Sequence, residues 1–118
     1  MIAYKATQDF SARDLERLFL SVEWSSGHFP DKLVLAMQGF RTVFSAWDGD
    51  LLVGLIAAMD DGVMNAFVHY LLVDPAFQGR GIGRTLVSMV KEKYKDYLRL
   101  AVIGYDREVS FYENCGFV

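Results

Sequence analysis

Leu71-Leu72-Val73-Asp74-Pro75-Ala76-Phe77-Gln78-Gly79-Arg80-Gly81-Ile82-Gly83-Arg84 is the stretch whose reading decides the fold. An apolar strand pattern ends at Pro75, three glycines turn the chain, and a helical pattern begins at once. Backbone N–H groups at the start of a helix have no intrahelical partner, and the helix dipole adds partial positive charge there. Such a turn is an anion site suited to a phosphate or diphosphate, with Arg80 and Arg84 placed to add charge. The bland alternative is an ordinary glycine-rich turn between a strand and a helix. Two other phosphate loops do not fit. A Walker A loop ends in Gly-Lys-Ser/Thr, whereas Gly83 precedes Arg84-Thr85. A dinucleotide fingerprint that uses Gly79 and Gly81 needs glycine at position 84, where Arg84 stands, and normally opens the first βα unit.

Downstream, Ile82, Leu86, Val90 and Tyr94 recur four apart with Met89 and Tyr97 alongside, predicting an amphipathic helix. A strand over 98–103 follows, then a last helix from Asp106 to about Asn114, stopped by Gly116. Upstream, Ile2–Ala6 reads as a strand, and Ser11 caps a helix carrying Leu15, Leu18, Phe19 and Val22. Residues 24–29 read as a loop without period. Pro30 restarts a helix toward Gly39 with Leu33, Leu35, Ala36 and Met37 as its stripe. Strands over 42–47, 51–59 and 63–73 are joined by Asp48-Gly49-Asp50 and Asp60-Asp61-Gly62 turns, with Gly54 marking a bulge. The last two strands are apolar at nearly every position, predicting cover on both faces. The order β-α-α-β-β-β-loop-α-β-α is mixed α/β. The helical crossover makes the strands over 63–73 and 98–103 parallel neighbours.

The 118 residues, 53% apolar and 23% charged, suit one domain over 1–118. No apolar run is long enough for a membrane helix, and no secretory signal pattern opens the chain. With Cys115 the single cysteine, a reducing cytoplasm is expected. A net charge of −3 and scattered basic residues argue against a nucleic-acid partner and favour a cationic or neutral substrate. No group of Cys, His, Asp or Glu has metal-ligand spacing, so no metal is expected.

The run Val73-x-Pro75-x-x-Gln78-Gly79-Arg80-Gly81-Ile82-Gly83 closely resembles the Gln/Arg-x-x-Gly-x-Gly/Ala signature of the GNAT superfamily of N-acetyltransferases. Phe111-Tyr112-Glu113-Asn114-Cys115-Gly116-Phe117 resembles that family's C-terminal Phe-Tyr-x-x-x-Gly-Phe box. The resemblance implies a mixed, mostly antiparallel sheet with a central parallel pair, helices on both faces, and C-terminal strand or strands missing from this chain. It implies acetyl transfer from acetyl-CoA to a primary amine of a small molecule or peptide by direct attack. Gln78, Gly79, Arg80, Gly81, Ile82, Gly83 and Arg84 would hold the coenzyme A diphosphate. Leu71, Leu72 and Val73 would run beside the pantetheine arm, with the Val73 N–H facing the thioester carbonyl.

By the same resemblance Tyr112 matches the general acid, against the alternative of a tyrosine packed in the core. The strand that often carries a basic glutamate has none here. His69 is the local candidate base, with a hydrogen-bonded core histidine as its alternative, and Glu23, His28 or a water chain also stand open. Trp24, His28 and Phe29 either wall the acceptor pocket or tuck onto the core. Tyr105 stands where relatives often carry an asparagine that contacts the cofactor. An uncovered edge on the strand over 98–103 would be covered by a second copy in a homodimer, or the chain is a shortened one. The competing readings are a non-catalytic acyl-CoA-binding or regulatory module of the same fold, and an unrelated nucleotide-phosphate binder.

Overall fold

The computed structural model describes residues 1–102. The expected helix from Asp106, the box over 111–117 with Tyr112 and Cys115, and Tyr105 lie outside the described residues. The elements are β1 (Ile2–Ala6), α1 (Ala12–Ser21), α2 (Pro30–Gly39), β2 (Thr42–Asp48), β3 (Leu51–Asp60), β4 (Asn65–Val73), α3 (Ile82–Lys93) and β5 (Arg99–Val102). Ser11 caps α1 as expected, its Oγ accepting from the Asp14 N–H at 3.1 Å. Pro30 occupies the first turn of α2.

The strands form one sheet in the order β1-β2-β3-β4-β5. Neighbours are antiparallel except β4 and β5, which run parallel as the crossover requires. Among the described residues that pair stands at one end of the order, so its expected central position depends on residues not described. α1 and α2 bury Leu15, Leu18, Phe19, Leu33 and Met37 against one face of the sheet, while α3 buries Ile82, Leu86, Val87 and Val90 against the other.

Two bulges break the two-residue side-chain alternation. In β3 the register passes from Ala46↔Gly54 to Trp47↔Leu52, leaving Val53 as the extra residue beside Gly54. In β4 it passes from Ala57↔Tyr70 to Ala58↔Val68, leaving His69 as the extra residue. Leu52 and Leu55 thereby share one face, and Val53 and Ile56 share the other, so β3 is buried continuously from 52 to 58. β4 departs from the expected two-sided burial: Asn65 and His69 are exposed.

Further differences have local causes. The second hairpin turn extends through Met64, because the Asp61 carboxylate collects the N–H groups of Val63, Met64 and Asn65 before β4 begins. Hydrogen bonds from Asn65, Met64 and Val63 hold the Asp61 carboxyl far below the usual carboxylate range. Leu35 and Ala36 face solvent, so the buried stripe of α2 is Leu33 and Met37, continued by Phe40. The loop over 24–29 contains a 3₁₀ turn, Ser25–His28. It packs so closely on α1 that a Cβ on Gly27 would lie 2.8 Å from Leu20 Cδ2.

α3 is fixed at both ends. At its start, Gly54 leaves room for the helix: an added Cβ would meet Ile82 Cγ2 at 3.1 Å and Leu86 Cδ1 at 3.3 Å. Past its end, Tyr94 Oη donates to Asp60 Oδ2 at 2.6 Å and accepts from Thr42 Oγ1 at 2.6 Å. Burial and the Asp60 carboxylate push the Tyr94 hydroxyl up to about 12, so it stays a donor at neutral pH. The Gly54→Val substitution is expected to force α3 away from the sheet and to cost about 1–3 kcal/mol; urea denaturation would measure it, and an unchanged midpoint would refute the packing account.

Candidate active site

The edge of β4 away from β3 changes character along its length. Residues 65–68 pair with β5. Farther along, the Asp74 N–H donates to the Val53 carbonyl at 2.8 Å, on the β3 side. Because adjacent residues of a strand turn their amides to opposite sides, the Val73 N–H and C=O face away from β3. On that side the Val73 carbonyl accepts from Gln78 Nε2 at 3.1 Å.

The connection from β4 to α3 is built on Asp74. Burial alone would raise its carboxyl, but the Arg17 guanidinium and the Ala76 N–H outweigh burial and hold it below the usual carboxylate range. Arg17 Nη1 donates to Oδ2 at 2.8 Å, the Ala76 N–H donates to Oδ1 at 2.9 Å, and Arg17 Nη2 donates to the Leu52 carbonyl. The carboxylate thus caps a 3₁₀ turn, Pro75–Phe77, where the sequence indicated only a stop. Arg80 is carried over the Phe77 ring, 5.0 Å from its centroid. Gly79 and Gly81 have φ of +83° and +80°, a region costly for side chains. Gly81 caps α3 without any side-chain hydrogen bond, and its carbonyl accepts from Thr85 N–H and Oγ1. Gly83, expected in the loop, is inside the first turn of α3.

A cleft of about 800 Å³ follows this edge, within the usual range for small-molecule sites. The glycine loop with the start of α3, the β4 residues Leu71, Leu72 and Val73, and the end of α1 all contribute to it. Added Cβ atoms on Gly79 or Gly81 would meet nothing within 4 Å, so these amides border open space. A bare-backbone turn with helix-start N–H groups at one end of an apolar groove fits a diphosphate carrying a long, thin arm.

An acetyltransferase (GNAT) domain model matches residues 39–118. The chain belongs to the GNAT family. A GNAT-family acetyltransferase structure from Streptococcus pneumoniae superposes with a TM-score of 0.85 at 29% identity, covering 100% of this chain and 88% of the other. The uncharacterized N-acetyltransferase ycf52 of Gracilaria tenuistipitata is 26% identical over 110 residues, 89% of this chain and 60% of its own length. The GCN5-related N-acetyltransferase 2, chloroplastic, of Arabidopsis thaliana is 34% identical over 68 residues, 56% of this chain and 26% of its own. The chain thus spans under two thirds of the length of these two relatives.

This GNAT domain brings most of the sequence candidates to one place. Leu71, Leu72, Val73, Gln78, Gly79, Gly81, Ile82, Gly83, Arg84 and Trp24 all line the cleft. His28 and Phe29 stand exposed at the 3₁₀ turn and are not among its lining residues, Phe29 lying under Lys32 Nζ at 5.2 Å. His69 is exposed at the β4 bulge rather than set in the core. It stacks edge-on to Tyr70 at 4.6 Å and does not line the cleft. Tyr112 lies outside the described residues. Among the described residues no group of His, Cys, Asp and Glu is arranged to hold a metal, and no helix is long and apolar enough to cross a membrane.

Sequence reasoning passed over Arg17 and Asp74. Asp before Pro at a strand end is a turn-capping signal, whereas nothing in the pattern marks Arg17 as its partner. The Asp74 carboxyl is held low in the folded chain, so its contribution to stability is full above the unfolded value near 3.9 and is lost as pH falls through the folded value. Asp74→Asn is therefore expected to cost about 2 kcal/mol at pH 7 and to flatten the loss of stability below about pH 4. Urea titrations at several pH values read both effects.

Proposed function

We propose that this GNAT domain is an acetyl-CoA-dependent N-acetyltransferase that moves acetyl to a primary amine of a small molecule or peptide by direct attack. One observation carries the reading: the glycine-bordered amides that begin α3 and the outward Val73 N–H share one continuous cleft. Acetyl-CoA would supply an activated acetyl thioester. The amides of residues 81–84 would receive its diphosphate, with the dipole of α3 behind them. Arg80, carried on Phe77, and Arg84 would add positive charge. Leu71, Leu72 and Val73 would border the arm, and the Val73 N–H would donate where negative charge grows on the thioester oxygen, a contribution typically of a few kcal/mol. Tyr112 would return a proton to the departing thiolate. A water chain would take the amine's proton, since His69 is exposed and is not among the residues that line the cleft. The single cysteine suits a reducing compartment such as the cytoplasm.

Calorimetry with CoA and thiol release with a panel of amines test the reading together. Binding of acetyl-CoA without turnover would favour a non-catalytic acyl-CoA-binding module, and binding of ATP but not CoA would overturn the site. Gly81→Asn and Gly81→Asp share the cost of a side chain at positive φ, but only aspartate brings a charge. CoA affinity is expected to fall at least about tenfold further in the aspartate variant, about 1.4 kcal/mol. Tyr112→Phe is expected to lower kcat by about 10²-fold or more while CoA affinity is retained.

A further inference from the structure

Glu23 has φ of +61° and is the one non-glycine residue with positive φ among the described residues. It occupies the position just past the C-cap of α1, where helices favour glycine. The surrounding hydrogen bonds define the motif. The Glu23 N–H donates to the Leu20 carbonyl at 3.0 Å, and the Trp24 N–H donates to the Phe19 carbonyl at 3.1 Å. Trp24 also packs edge-on against Phe19 at 5.9 Å, the hydrophobic contact that accompanies this ending. Nothing in this geometry needs a glutamate, and a glycine would relieve about 1 kcal/mol of strain. Strain kept against that preference is a reason to look for a function in the side chain.

Glu23 is exposed and lines the cleft. Its neighbour Trp24 lies 6.0 Å from Tyr70, while Gln78 of the glycine loop bonds to Val73. Along β4 those two contact points, Tyr70 and Val73, are three residues or about 10 Å apart. Glu23 is the one carboxylate among the described lining residues, and the lone cation there, Arg84, belongs to the glycine-loop end. A carboxylate and an indole lining the same cleft, on the residues that follow α1, are groups suited to attract a cation.

We infer that Glu23 is a specificity-determining residue that selects acceptors carrying a second positive charge besides the amine that is acetylated. The inference rests on the acetyl-transfer reading above. The attacking nitrogen must be neutral, so the lasting attraction of a carboxylate acts on a different, permanently protonated group of the same molecule. A diamine of moderate length is the simplest such acceptor.

The test compares kcat/KM for 1,4-diaminobutane and for butylamine, by thiol release from acetyl-CoA with the intact chain. The unaltered protein is expected to prefer the diamine by about tenfold or more, about 1.4 kcal/mol. Glu23→Gln and Glu23→Gly should bring that ratio close to one, and Glu23→Asp should keep most of it. Glu23→Gly should at the same time raise the melting temperature, an effect opposite to the loss expected of a merely structural residue. Equal kcat/KM for the two amines, or an unchanged ratio in Glu23→Gln, overturns the inference while leaving acetyl transfer intact. Failure of the unaltered protein to bind acetyl-CoA by calorimetry overturns the acetyl-transfer reading itself. Binding without turnover of either amine overturns the inference as well.

Discussion

The Asp74 carboxylate is the joint on which this architecture turns. It receives Arg17 from α1 and caps the turn after β4, while the backbone N–H of the same residue reaches the extra residue of the β3 bulge. Helix, sheet and loop meet there through the Arg17 guanidinium, whose Nη1 and Nη2 find acceptors in Asp74 and Leu52 while its buried Nε has none among the described residues. A buried carboxylate without such partners would be costly, and a charged pair of this kind is harmful to break even where its net stabilisation is modest. Its value lies in geometry: the chain can leave β4 in one direction only, and the glycines follow from that direction.

The bulges act with it. A strand paired on both sides offers no backbone groups to a ligand, and a strand bare along its whole edge invites association. β4 is paired with β5 over its first residues, kinks at His69, and then presents residues 71–73 to the cleft. The Val53 bulge keeps β3 buried through this change of course, and Gly54 admits α3 against the sheet. Family membership agrees with this layout, and the geometry explains why a glycine-rich signature must follow a strand in such a domain.

Much of this was legible in the sequence because the signals were local. The four-residue spacing of Ile82, Leu86, Val90 and Tyr94 marked α3, and the crossover marked the parallel pairing. The glycines marked the loop, although Gly83 enters the helix because helical φ suits it equally well. What escaped was long-range or held by side chains. Arg17 and Asp74 are 57 positions apart, and no periodicity connects them. His69 looked like core because its neighbours are apolar, but the bulge turns it outward. The loop over 24–29 hid a helical turn whose tightness depends on one glycine packing under Leu20, and the strain at Glu23 leaves no trace in composition.

The attachment of Tyr94 at the far end of α3 has a bearing on the near end. A helix held only at its start could roll about its axis, and its first amides would sample many directions. With Tyr94 hydrogen-bonded between Thr42 and Asp60, and Ile82 seated over Gly54, that rotation is blocked before any ligand arrives. The entropy of aligning those amides is thus settled when the chain folds, and the anion proposed for this site would find its donors already aimed.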